Sequence, residues 1–319
     1  QEFYTNRTVV TLMAEILQPK PKESIYDPTC GSGGMLIKCL NYLRDKGQPW
    51  QGVKVFGQEI NALTSAIARM NLYLNGVEDF SIVREDTLAH PAFIDGSRLR
   101  KFDIVLANPP YSIKAWNRDA FMNDKWGRNF LGTPPQGRAD YAFFQHILAS
   151  MNERTGRCAI LFPHGVLFRK EEQELREHLV KLDLIDCVIG IGRNLFYNSC
   201  MDACVIICRT NKPSERKGKI QFIDAKNEVT RKNAESYLEP KHIEKITKAY
   251  FDFAEIDRFS KIIDNNEILD HNAKLSVALY VKNNNFADND DLDLEEEAEE
   301  LFAQLVTDNE AVDELLKML

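Results

Sequence analysis

Much is missing from this 319-residue chain, and each absence narrows what it can be. No apolar run approaches the roughly 20 residues a membrane-spanning helix needs. No basic-then-apolar leader opens it. The chain starts Gln1-Glu2-Phe3 without Met and so reads as a fragment. Its seven cysteines form no CxxC pair, and the Cys/His spacing of zinc sites is absent. Cys200, Cys204 and Cys208 recur every four residues, yet 203–208 (ACVIIC) has the look of a buried strand. Free Cys packs there as a small apolar residue, so no metal is expected. With reduced thiols and no leader, the expected compartment is the cytoplasm. The phosphate-binding pattern GxxxxGK[ST] does not occur, which removes support for ATP-driven chemistry.

Positive charge is also in short supply, with a net charge of −8. The deficit is local. Residues 286–319 hold thirteen acidic residues and one Lys, a balance of −12. Taking that −12 from the total of −8 leaves the first 285 residues at +4. A mildly basic body is compatible with nucleic acid without demanding it. The acidic run reads first as a solvated helix face or a flexible end, and second as a docking arm for a partner.

What is present is an alternation of strands and helices. Helices are expected over 8–17, 35–44, 62–74, 141–151 and 171–182, and strands over 25–27, 53–60, 81–84, 102–107, 157–162 and 185–190. That rhythm implies a mainly parallel sheet covered by helices on both faces. Segments 203–209 and 219–224 read as two late strands, an antiparallel pair at the sheet edge. After about 235 the pattern turns helical and charged, and Asn283-Asn284-Asn285 reads as a linker. The expected organisation is one α/β unit over 1–250 and a helical, acidic extension over 251–319. Two long segments, 112–140 and 191–202, interrupt the rhythm, and such loops in α/β domains are usually functional.

The first chemical motif is Asp27-Pro28-Thr29-Cys30-Gly31-Ser32-Gly33-Gly34, between the first strand and its helix. Glycines let the backbone approach a ligand, and the helix N-terminus offers free N–H groups. A dinucleotide fingerprint GxGxxG fails, because Leu36 holds its sixth position. Asp27 can accept a hydrogen bond from a ligand amine, and Glu59, ending the second strand, from ribose hydroxyls. A tight β–α turn without a ligand is the bland alternative.

The second motif, Asn108-Pro109-Pro110-Tyr111, follows the fourth strand. Consecutive prolines fix the backbone and remove donors. The Asn108 side-chain oxygen and the Pro109 carbonyl can then face one planar amine and align it toward a methyl sulfonium. Tyr111 can stack on a flat target, which inside a duplex must first be flipped out. Residues 112–140 interleave Lys114, Arg118, Lys125, Arg128 and Arg138 with Trp116, Phe121 and Trp126. That mixture suits phosphates and unstacked bases, or an ordinary surface loop. His164 reads as a structural residue after a strand rather than as a base.

In order and spacing the two motifs resemble the amino-methyltransferase superfamily. With Glu2-Phe3-Tyr4-Thr5-Asn6-Arg7 and Pro163-His164-Gly165-Val166-Leu167-Phe168, the chain looks like the modification (M) subunits of type I restriction-modification systems up to about residue 250. The resemblance implies a Rossmann-like methyltransferase fold. It implies S-adenosylmethionine as donor, adenine N6 in DNA as acceptor, and separate specificity (S) and restriction (R) subunits as partners. It further implies that Glu2, Phe3, Tyr4, Thr5, Asn6 and Arg7 cover the donor, that Ser32, Gly33 and Gly34 hold its methionine part, and that Gly31 belongs to the same donor-binding turn. Glu59 would take the ribose and Asp86 the donor adenine. The chain departs at Asn6, where the family usually has Pro, at Tyr111 in place of a common Phe, and around residues 198–201. Family members also carry an upstream helical domain that this fragment is expected to lack. Cytosine-C5 chemistry is disfavoured, since no Pro-Cys dipeptide occurs. Cytosine-N4, protein-glutamine and RNA targets stay open, as does a non-catalytic assembly subunit.

Overall fold

The structure is a computed structural model that describes residues 5–111, 113–192, 195, 202–232 and 235–281. Nine strands make one sheet: β1 (Ser24–Asp27), β2 (Lys54–Glu59), β3 (Phe80–Arg84), β4 (Ile104–Ala107), β5 (Arg157–Pro163), β6 (Ile185–Ile191), β7 (Ala203–Arg209), β8 (Lys219–Ala225) and β9 (Ser260–Asp264). Their spatial order is β9-β8-β6-β7-β5-β4-β1-β2-β3. All run parallel except β7, antiparallel to β5 and β6, and β9, antiparallel to β8. Strands β4 to β7 are apolar and buried almost throughout, as expected for strands covered on both faces.

Helices α1 (Arg7–Leu17), α2 (Gly34–Asp45), α3 (Ala62–Leu74) and α7 (Pro240–Asp252) contribute to the core on one face. Helices α5 (Asp140–Ala149), α6 (Gln173–Lys181), α8 (Asn265–Asp270) and α9 (Val277–Val281) contribute to the core on the other. The short α4 (Arg118–Met122) lies within the long segment after β4. Each helix near the site starts for a local reason. The Asn6 side chain caps α1 by accepting from Thr8 N, and Asn61 caps α3 by accepting from Leu63 N and Thr64 N. Gly33, at φ 81°, supplies the left-handed residue from which α2 starts.

Two expectations need correction. Residues 203–209 and 219–224 do not pair with each other at an edge. β7 is inserted between β5 and β6, where a run without charge before Arg209 is buried, and β8 pairs with β6 and β9. Nor is the chain beyond 235 only helical, because β9 forms the sheet edge and lies past the boundary drawn at 250. Its polar sequence, SKIID, suits a half-covered edge strand and hides its identity. The linker at 283–285 and the acidic segment lie outside the described residues. Among the described residues no helix is long and apolar enough to cross a membrane.

Candidate active site

β1 is the pivot, because its parallel neighbours are β2 and β4. The turn after β1 and the Asn-Pro-Pro-Tyr segment after β4 therefore leave adjacent strands at the same end of the sheet. Adjacent strands lie only about 4.8 Å apart. The chain order along the sheet reverses here, and the crevice at such a point is where open α/β sheets bind ligands.

The turn after β1 is held open by contacts from its surroundings. Cys30 N donates to Gln58 O at 2.9 Å, Gly31 N to Glu59 Oε2 at 3.1 Å, and Asn71 Nδ2 to Ser32 O at 2.9 Å. A side chain at Gly57 would meet Ile82 Cδ1 at 2.6 Å and Cys30 Sγ at 2.8 Å, so only Gly lets the turn settle onto β2. Gly31 and Gly34 face open space where a Cβ would stand. Asp27 is 1% exposed, and its Oδ1 accepts from Thr29 N at 2.9 Å. Its Oδ2 has no hydrogen-bond partner among the described residues. Burial pushes this carboxyl up to about 7, against the pull of the Thr29 amide and with a further push from Glu59. A buried carboxylate oxygen without a donor, beside an open glycine turn, fits a ligand ammonium group.

Glu59 and Asp86 continue the row on β2 and just after β3. Glu59 Oε1 accepts from Asn61 N at 2.8 Å, so this carboxylate braces both the turn and the start of α3. Asp86 Oδ1 accepts from Leu88 N at 2.8 Å and Ala89 N at 3.0 Å. Thr87 Oγ1 donates to Pro28 O at 2.5 Å, tying that turn to the first one.

Asn108 stands between two hydroxyls. Its Nδ2 donates to Thr5 Oγ1 at 2.8 Å, and its Oδ1 accepts from Tyr111 Oη at 2.6 Å. Pro109 is buried and Pro110 partly so. The Tyr111 ring packs against the core of the α1 face, and burial, helped by Cys204 and Asp140, raises its phenol well above the usual range. It therefore stays a hydrogen-bond donor. Asn6 turns its side chain to the protein: besides capping α1, its Nδ2 donates to Ser236 O at 2.8 Å. Arg7 is exposed at the start of α1. Glu2, Phe3 and Tyr4, like Cys200 and Met201, lie outside the described residues.

The structure thus gathers Asp27, Gly31, Ser32, Gly33, Gly34, Glu59, Asp86, Thr5 and Asn108 to Tyr111 at one end of the sheet. It takes Arg128 away from the group expected to meet phosphate. Arg128 is 1% exposed, pairs with Asp124 at 2.7 Å, and donates to Thr87 O at 2.9 Å and Leu88 O at 2.8 Å. It fastens the segment after β4 to the turn that carries Asp86. Arg118 donates to Pro134 O at 2.8 Å, while Lys114 and Lys125 remain exposed. His164 is buried in a short 3-10 turn with its ring 5.7 Å from that of Phe168.

Three features escaped the sequence reading. Gly57 sits inside an ordinary-looking strand. His146 lies with Nε2 3.0 Å from Tyr26 Oη, and burial lowers its pKa. Asp140 and Glu172 share Arg169, at 2.9 and 3.5 Å, so that ion pairs fix the start of α5 to the turn after β5. Nothing in their spacing signals these contacts. Among the described residues no three His, Cys, Asp or Glu side chains gather as for a metal.

Comparison with known proteins points the same way. The chain is 33% identical to the type I restriction enzyme MjaVII methylase subunit of Methanocaldococcus jannaschii, over 99% of this chain and 55% of that protein. It is 35% identical to the MjaVIII methylase subunit of the same organism, over 94% of this chain and 52% of that one. The chain thus spans about half the length of these relatives. The crystal structure of a type I restriction-modification methyltransferase subunit from Streptococcus thermophilus superposes with a TM-score of 0.80 at 36% identity, covering 88% of this chain and 59% of that one. The family model described as N-6 DNA Methylase matches residues 1–289, and the chain belongs to that family.

Proposed function

We propose that this chain is the catalytic part of a modification subunit that methylates adenine N6 in DNA, with S-adenosylmethionine as donor. One observation carries the reading. The glycine turn, with a buried Asp27 oxygen that has no partner among the described residues, and the Asn108 amide leave neighbouring parallel strands at the same sheet end. S-adenosylmethionine, when bound, supplies a methyl group on a positively charged sulfur.

The residues divide the work. Asp27 Oδ2 accepts from the donor's ammonium group. The backbone of Gly31 to Gly34 passes close to its methionine part, and Glu59 and Asp86 receive ribose and adenine. By the family resemblance, residues 2–7 would cover the donor. On the acceptor side, Asn108 Oδ1 and the Pro109 carbonyl each accept one N–H of the flipped base. With both N–H groups held, the nitrogen lone pair keeps its density and points along the line of attack. With the donor bound, the held nitrogen would take the methyl group as the sulfur–carbon bond breaks, and the neutral thioether would leave. The extra proton on nitrogen is then acidic and leaves to water, so no strong base is required. Tyr111 withdraws its hydroxyl from Asn108 Oδ1 and lays its ring on the base.

Sequence recognition and cleavage belong to partner subunits in this proposal, a specificity subunit and a restriction subunit. That division fits a body carrying only +4 up to residue 285. The acidic segment from about 286 serves as a docking arm, and the complex works in the cytoplasm. The full-length chain with its specificity subunit, labelled donor and unmethylated DNA, RNA or protein tests the assignment. Label in N6-methyladenine of DNA is expected. Label in cytosine N4, in RNA or in a glutamine amide contradicts it.

A further inference from the structure

We propose that Thr5 is a positioning residue that fixes the Asn108 amide in its productive orientation, which goes beyond covering the donor. The inference rests on the reading that a target amine binds Asn108.

An Asn amide has two orientations, related by a half-turn that exchanges oxygen and nitrogen. At rest Asn108 lies between two hydroxyls, and hydroxyls donate or accept equally well. The resting contacts alone therefore do not select an orientation. The target does. An amine whose lone pair is reserved for attack only donates, so Asn108 Oδ1 must face it and Nδ2 must point away. The Tyr111 hydroxyl has by then given up Oδ1. The Nδ2 group still needs an acceptor, and Thr5 Oγ1, 2.8 Å away, is the atom in place. Without it a half-buried donor is orphaned at the moment the base is gripped, or the amide turns over and meets the amine donor to donor.

Thr5 is held for this task from the far side. Asn6, the next residue, caps α1 and donates to Ser236 O at 2.8 Å, while Thr8 Oγ1 accepts from Leu238 N at 2.9 Å. The first turn of α1 is thereby pinned to residues 236–238, and Thr5 to the mouth of β4.

Thr5→Val keeps the shape and removes the oxygen; Thr5→Ser keeps the oxygen and removes the methyl. In the full complex on cognate DNA, T5V is expected to lower kcat about ten- to a hundredfold. Its donor Kd and its KM for DNA should move less than about threefold. T5S is expected within about threefold of the parent. In an Asn108→Ser background, where no Nδ2 exists, T5V should cost nothing further. Parent-like turnover by T5V overturns the proposal. So does an equal loss in the Asn108→Ser background, or a loss confined to donor Kd. If T5V does not fold, T5S decides: a tenfold loss with the oxygen retained overturns it. A parent complex that leaves DNA unmethylated would instead sink the functional reading on which the inference rests.

Discussion

Tyr111 holds its hydroxyl 2.6 Å from Asn108 Oδ1, the atom proposed to grip a target amine. The Asn108 oxygen is therefore engaged by a side chain of its own segment, and in the proposed function an incoming base displaces that hydrogen bond. Tyr111→Phe removes that competitor and keeps the ring, so kcat/KM for DNA should stay within about threefold of the parent. Tyr111→Ala removes the stacking surface as well, which is worth about 1–3 kcal/mol per base. Its kcat/KM should fall about ten- to a hundredfold with donor Kd unchanged. Steady-state kinetics on unmethylated DNA separates the two variants. Equal losses in both would mean that the hydroxyl, not the ring, carries the function.

The burial of Asp27 sets the sign of a pH dependence at the site. Its carboxyl is raised from 3.8 to about 7 in the folded chain, chiefly by burial. The folded state therefore holds a proton that the unfolded state has lost. Asp27's contribution to stability is fully present below the unfolded value and is lost as pH rises through about 7. Donor binding runs the other way, because only the carboxylate accepts from an ammonium group. Donor affinity should rise about tenfold per pH unit below 7 and level off above it. Asp27→Asn should bind donor weakly with a flattened profile. Calorimetric titrations from pH 5.5 to 8.5 check this, and an unchanged profile in Asp27→Asn would contradict it.

Arg128 looks in sequence like a phosphate-binding residue and is instead half of a buried pair with Asp124. Removing one partner of such a pair costs about 3–5 kcal/mol. Arg128→Leu should lower the melting temperature and weaken donor binding, because it frees the turn carrying Asp86. It should leave the salt dependence of DNA binding unchanged. Replacing exposed Lys114 and Lys125 with Ala should reduce that slope, by up to about 0.9 for each phosphate no longer neutralised. Binding isotherms between 50 and 200 mM salt decide which residues meet the backbone.

The two motifs were readable because their residues carry both backbone and chemical information. A glycine turn after a strand and consecutive prolines after another restrict geometry wherever they occur. The strand–helix rhythm up to β6 was equally plain, since those strands are short apolar runs bounded by breakers. Legibility failed where identity depends on partners distant in sequence. β7 and an edge strand look alike until their neighbours are known, and β9 lacks the apolar run that marks a covered strand. Gly57 matters only because Ile82 and Cys30 close on it. α3 has apolar residues on two faces: Ala68 and Leu72 are buried, while Leu63, Met70, Tyr73 and Leu74 are more than half exposed. Periodicity alone could not tell its inner side. The bond from Asn108 to Thr5 spans 103 residues, and no local pattern announces it.

The most direct test is Asn108→Ala in the full complex, with methyl transfer to unmethylated cognate DNA and donor Kd measured side by side. The variant lacks the oxygen proposed to grip the amine, while the glycine turn is untouched. Transfer should fall by more than about a hundredfold, with donor Kd within a few-fold of the parent. Near-parental methylation by Asn108→Ala would mean that the amine is held elsewhere and that the segment after β4 is not the acceptor site.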